Sequence, residues 1–295
     1  MITLVMAKTK VTSFQDLLRC PPGPVDLTTV QPRATPGLKG GKDEALKTLP
    51  DYAQRLADLQ ERLYAAAKTG DRRRVLLVLQ GMDTSGKSGV VKHVAGAVNP
   101  MDCRIQSFKA PTKEELAHDF LWRIRRALPE AGELGVFDRS HYEDVLVVRV
   151  RELAPRAVWS RRYSSINRFE ERLVADGCTV VKCFLHISPD AQKERLLARL
   201  DDPTKYWKYN PSDVDDRMLW PQFQDAYAVA LEKCNTGPAP WYVIPADRKW
   251  YRNYAITRLL IEVLEGLDLG WPPADFSVKD ERARLEKMPA PQPGG

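Results

Sequence analysis

Five runs of apolar residues punctuate the chain, each following or preceding a stretch in which apolar residues recur every three or four positions. The runs VLLVLQ (after Arg72 to Arg74), CRIQSF, LGVFD, CTVVKCFLHI and WYVIP are continuous rather than alternating, the pattern of strands buried on both faces. Between them the spacing predicts helices. Leu46, Leu49, Tyr52, Leu56, Leu59 and Leu63 form one stripe from Asp43 to Lys68, which could break at Pro50. Further helices are predicted over Lys87 to Val98, Glu114 to Arg126, Tyr142 to Val150, Ala157 to Asp176, Pro189 to Leu200, Asp213 to Lys233 and Trp250 to Leu264. Strands alternating with helices predict an α/β fold: a three-layer, mostly parallel five-stranded sheet. Residues 1–42 carry Pro21, Pro22, Pro24, Pro32 and Pro36 with Gly37, Gly40 and Gly41, and read as an extended arm lying over a neighbouring surface. The core then runs over 43–271, and the tail 272–295, ending APQPGG, is expected to be disordered. No internal repeat is visible.

Composition narrows the class. A chain of 295 residues, 43% hydrophobic, can bury a substantial core. It has no run of about 18 apolar residues, and the patch MITLVM is too short for a signal h-region, so a cytoplasmic protein without a membrane span is expected. The five cysteines form no C-x-x-C pair, which argues against a disulfide framework or a zinc cluster and for small core residues. The net charge of +6 mildly favours an anionic partner.

The segment LQGMDTSGKSGVV, Leu79 to Val91, has the pattern G-x-x-x-x-G-K-[ST] directly after a strand and before a helix. Gly81 and Gly86 let backbone N–H groups turn toward phosphate oxygens, Lys87 reaches the outer phosphates, and Ser88 offers a hydroxyl. Thr84, Ser85 and Gly89 join them as substrate-binding candidates. Asp83 would repel phosphate unless a cation intervened, so it is a candidate Mg²⁺ ligand; the alternative is a loop-capping aspartate. Asp138 ends the strand in VFDRSHYEDV, the Walker B position for a metal-holding carboxylate. Arg139 beside it suits a transferred phosphoryl group, or else a structural ion pair. His141 is read as structural, since an ionised phosphate acceptor needs no base. Arg199 to Phe223 mixes Arg199, Lys205, Lys208 and Arg217 with Tyr206, Trp207 and Tyr209. That mixture reads as a lid over phosphates and a base, against an ordinary connection with Trp207 in the core.

Together GMDTSGKSG, FKAPTKEELAHDFLWR, FDRSHYEDVLVVRV and RLDDPTKYWKYNPSD resemble the polyphosphate kinase 2 family, P-loop proteins related to thymidylate and adenylate kinases. The likeness spans roughly Asp43 to Trp271. It implies Mg²⁺-dependent, reversible transfer of a phosphoryl group from inorganic polyphosphate to a nucleotide. By the same resemblance Asp83 and Asp138 hold the metal, and Lys87 and Arg139 contact the moving phosphate. Arg149, Arg199, Lys205 and Lys208 line the polyanion or nucleotide path with Trp207 in the lid, and Lys109 faces the acceptor phosphate. HYEDVLV and HDFLWR are similar to class III members that accept AMP and ADP, with Glu143 the position tied to that breadth. Adenine nucleotides, with guanine nucleotides as a further candidate, and a homo-oligomer (dimer or tetramer) complete the expectation. Two departures stand out. The family commonly has a non-hydroxyl residue where Ser88 stands, and a glycine-containing segment where this chain reads RVREL. Apart from the resemblance, transfer between anhydrides through a loose anionic transition state asks for alignment and positive charge, which this cation-rich chain supplies. One rival is an ATP-dependent nucleoside monophosphate kinase with the same fold. The other is a nucleic-acid-binding P-loop protein, disfavoured because no RRM, OB or helix-turn-helix pattern accompanies the charge.

Overall fold

In the computed structural model, which describes residues 13–289, the five apolar runs are strands: β1 (Arg74–Gln80), β2 (Cys103–Ser107), β3 (Leu134–Asp138), β4 (Cys178–His186) and β5 (Trp241–Pro245). All pair in parallel, in the order β2-β3-β1-β4-β5. Every residue of the central β1 is buried, as a strand covered on both faces requires, whereas β2 at the rim is half-exposed and carries Arg104 and Gln106.

The helices are α1 (Phe14–Leu18), α2 (Lys42–Ala67), α3 (Lys87–Ala95), α4 (Lys113–Leu116), α5 (Trp122–Ala127) and α6 (Val147–Val150). They continue with α7 (Arg156–Ala175), α8 (Pro189–Leu200), α9 (Ser212–Met218), α10 (Trp220–Lys233), α11 (Lys249–Glu265) and α12 (Val278–Glu286). Two groups flank the sheet: α2, α3 and α11 pack together, while α7 lies on β4 with α6 and α10 near it. Among the described residues no helix is long and apolar enough to cross a membrane. All five cysteines are free, and Cys20, Cys178, Cys183 and Cys234 are buried.

The helices depart from the sequence expectation where polar residues and prolines intervene. Helix α2 is not broken at Pro50: the ring sits on the exposed side, where water can take the carbonyl bond it removes. The single helix expected over Glu114 to Arg126 is two. The capping box of Thr112 and Glu115 starts α4, and the Asp119 carboxylate then accepts from the Leu121 N–H ahead of it (3.1 Å), ending one helix and beginning another. Tyr142 to Val150 is likewise divided: Ser140 caps a tight turn over His141–Asp144, and α6 follows. Asp213 to Lys233 divides at Leu219, because Pro221 has no N–H to continue the ladder of α9.

The described part of the arm lies against its own chain. The Cys20 N–H donates to the Trp241 carbonyl (2.8 Å), Arg19 bridges Tyr242 in antiparallel sense, and the Glu262 carboxylate caps α1 by accepting from the Phe14 and Gln15 N–H groups (2.9 and 3.0 Å). In the tail, where disorder was expected, 278–286 is helical as α12, with no buried residue; the closing APQPGG lies outside the described residues.

Candidate active site

The loop between β1 and α3 is shaped by two left-handed glycines. Gly81 (φ 151°) passes so close to β4 that a Cβ would lie 2.7 Å from the Leu185 carbonyl. Gly86 (φ 102°) opens α3 with no side-chain cap, leaving the helix N–H groups free to face an anion. Lys87 is buried and donates to the Gly81 and Met82 carbonyls (2.7 and 3.3 Å), so two of its three N–H donors are used within the loop.

Asp83, in the loop after β1, and Asp138, the last residue of β3, line one cavity. The Asp83 carboxylate accepts from Arg139 (2.8 Å), and the Asp138 carboxylate accepts from the Ser88 hydroxyl (2.8 Å). Among the described residues each carboxylate thus keeps one oxygen uncommitted. Arg139 holds its place through a left-handed backbone (φ 65°), a strain that favours a functional demand over a surface one. Burial works to raise the Asp83 carboxyl, but Lys87, Arg139 and Arg199 outweigh it and hold it below the ordinary range. For Glu143 burial wins over Arg139 and Lys87, and the carboxyl is raised. Burial and the Arg139 charge lower the Lys87 ammonium. No cluster of three or more His, Cys, Asp or Glu groups able to cage a metal occurs among the described residues. Two carboxylates facing one cavity nevertheless suit Mg²⁺, which commonly takes one or two protein carboxylates and fills the rest of its shell with phosphate and water.

Two cavities open at the carboxyl ends of the strands. The first, about 520 Å³, is a basic groove lined by Thr84, Gly86, Lys87, Ser88, Gly89 and Asp138, with Arg199, Lys205, Trp207 and Lys208 across it. The second, about 570 Å³, has apolar walls from Phe108, Leu116, Val147, Val148 and Phe223, with Gly81 and Glu143 at its floor. Asp83, Lys109 and Arg139 line both. Trp207 is 77% exposed, not in the core, and Lys208 lies over its ring at 4.8 Å. Two sequence candidates are not brought to these cavities. Arg149 is drawn away by Asp225 of α10 and stacks over Trp159 (5.1 Å). Ser85 is fully buried with its hydroxyl turned toward Gly81, so its side chain reaches neither space. His141 is buried against Glu170 (3.1 Å), in the structural role expected of it. An open depression of about 660 Å³ between α5 and α7 holds none of the candidate site residues.

A family model described as Polyphosphate kinase 2 matches residues 40–269. The chain belongs to the polyphosphate kinase 2 family. A relative named AMP/ADP-polyphosphate phosphotransferase, from Meiothermus ruber, is 48% identical over 85% of this chain and 93% of its own. An ADP-polyphosphate phosphotransferase from Rhodopseudomonas palustris is 42% identical over 84% of this chain and 88% of its own. The crystal structure of Polyphosphate Kinase 2 from Arthrobacter aurescens TC1 superposes with a TM-score of 0.92 at 50% identity, covering 94% of this chain and 98% of that one. The sheet and loop described above are thus the P-loop kinase fold of the polyphosphate kinase 2 family.

Sequence reasoning missed residues that brace this family member's loop from outside. If the loop N–H groups face the groove, its carbonyls point away and need donors. Arg195 donates to the Thr84 carbonyl (2.8 Å), Arg252 to that of Ser85 (3.2 Å) and Gln192 to that of Asp83 (3.3 Å). Arg195 and Lys249 also line the groove. A signal for Arg195 existed: it precedes Arg199 by four residues on α8, so the two share a helix face.

Proposed function

We propose that the basic groove takes the polyphosphate donor and the apolar-walled cavity takes the acceptor nucleotide. The reaction is the one that defines the family: the chain is a polyphosphate:nucleotide phosphotransferase. The supporting observation is that Asp83, Lys109 and Arg139 line both cavities, so a phosphoryl group can pass between them without leaving the reach of two cations. The chain of phosphates would follow the loop N–H groups and Lys205 and Lys208. Lys87 and Arg139 would carry the charge that accumulates on the transferred group, a role for preorganised cations in a site shielded from water. Lys109 would meet the acceptor phosphate, and the base would lie between Phe108, Val147 and Phe223, with the 199–223 segment as lid over a kinase unit spanning 43–271. Glu143, which lines the nucleotide cavity, is the position that the family resemblance ties to acceptance of both ADP and AMP. Asp83 and Asp138 would hold Mg²⁺, which when bound neutralises phosphate charge and keeps donor and acceptor oxygens in register. Ser88, already donating to Asp138, would orient that carboxylate rather than bind the ion itself. A homo-oligomer belongs to the same reading, on the strength of the family resemblance, and a cytoplasmic location is proposed with it.

The test is incubation with ADP and polyphosphate in the absence of ATP, followed by phosphorus NMR. New ATP is expected, and Lys87→Ala should lower kcat on the order of 10²-fold. No ATP from the unaltered protein would overturn the reading.

A further inference from the structure

Arg252, in the first turn of α11, is 3% exposed, yet its partners are all neutral: the Ser85 carbonyl (3.2 Å) and the side-chain oxygen of Asn253 (2.9 and 3.2 Å). No carboxylate pairs with it among the described residues. Its charged neighbour is another cation, Arg195, which is itself occupied by carbonyls of Thr84, Ala246 and Asp247 and shares the Ser85 carbonyl with Arg252 (3.3 Å). Burial first, then Arg195, pull the Arg252 pKa down to about 10. The surroundings add more positive potential, since α11 begins without a side-chain cap or an acid in its first turn, and Lys249 stands there instead. Helix N-termini ordinarily favour acids, and buried guanidinium groups ordinarily find carboxylates. Both preferences are reversed here, on the outer side of the phosphate loop.

The loop is built to accept this group. A Cβ on Gly86 would collide with the Arg252 guanidinium, and one on Gly89 would lie 3.0 Å from it. The guanidinium therefore rests directly against the turn that opens α3, separated from the groove by one thickness of backbone, and it does not itself line the groove.

We propose that Arg252 is a positioning residue for the phosphate donor, which with Arg195 holds the Ser85 carbonyl outward so that the loop N–H groups face the groove and whose unneutralised charge acts through the loop on polyphosphate. This rests on the groove being the donor site. The missing counter-charge is then supplied by the substrate: the bare protein carries an electrostatic cost at Arg252 that polyphosphate relieves. A residue that only filled space behind the loop would behave in the opposite way, its loss weakening the bare fold and leaving donor binding alone.

The experiment compares the full-length protein with Arg252→Gln and Arg252→Lys, measuring Tm with and without polyphosphate, and KM for polyphosphate and ADP with kcat. Arg252→Gln should melt at or above the parent without ligand, lose most of the polyphosphate-induced rise in Tm, and show KM for polyphosphate raised on the order of tenfold with KM for ADP within about twofold. Arg252→Lys, which keeps the charge, should recover most of the donor affinity. An Arg252→Gln protein that fails to fold, melts lower without ligand, or keeps the parental KM for polyphosphate would overturn the proposal, as would Arg252→Lys behaving like Arg252→Gln. If polyphosphate neither stabilises nor is consumed by the parent protein, the donor-site reading itself has failed, an outcome separable from the others because it involves no variant.

Discussion

At Glu143 the site sets burial against two cations. Burial raises its pKa, and Arg139 and Lys87 only partly counter this. Because the folded protein holds the proton more tightly than the unfolded chain, its stabilising contribution is complete below the ordinary glutamate value and disappears as pH rises through the folded value. Glu143→Gln removes that liability. The variant should be more stable than the parent near about pH 8, with the difference closing toward about pH 4. Thermal melts across that range decide it, and a difference independent of pH would exclude Glu143 as its source. At this scale the sequence was informative where chemistry is contiguous: Gly81, Asp83, Gly86 and Lys87 stand in one loop, and Asp138 and Arg139 at one strand end. It was silent where a role exists only in three dimensions. Arg252 lies 167 residues from the carbonyl it holds, and Arg149, inside a family motif, is claimed by an aspartate on another helix.

At the level of elements, one buried network ties four pieces of the fold together. Lys182 of β4 donates to Glu170 of α7 (2.6 Å), to the Tyr142 hydroxyl (2.9 Å) and to the Cys234 carbonyl just past α10 (2.7 Å), and His141 closes the circuit on Glu170. Burial acts to raise Glu170, but Lys182 and His141 prevail and keep it ionised. The turn that follows Arg139 is thereby fixed to the sheet. Lys182→Met leaves the Glu170 charge without its cation and should cost about 3–5 kcal/mol in urea unfolding, much of it recovered when Glu170→Leu is added. A single variant as stable as the parent would show that the network carries no net weight. Strands were easier to read than helices for a physical reason. A strand buried on both faces announces itself as an unbroken apolar run, whereas the divisions at Asp119 and Leu219 depend on one side chain accepting from the N–H two residues ahead and one absent N–H.

For the whole molecule, alternation of strand and helix predicted a parallel three-layer sheet, but not the order β2-β3-β1-β4-β5, which depends on where each crossover returns. That order sets β3 and β4 on either side of β1, and so brings Asp138 and the phosphate loop to a common rim of the sheet. The same order leaves two outermost strands. β2 carries polar side chains along its free margin, while β5 is screened by Arg19 and Cys20 of the arm. The segment ahead of Lys42 therefore belongs to a guard rail as much as to a connection. A chain shortened to begin at Lys42 would present Trp241 and Tyr242 backbone to any passing copy of itself, and light scattering of a concentrated solution should reveal clumping that the longer chain resists.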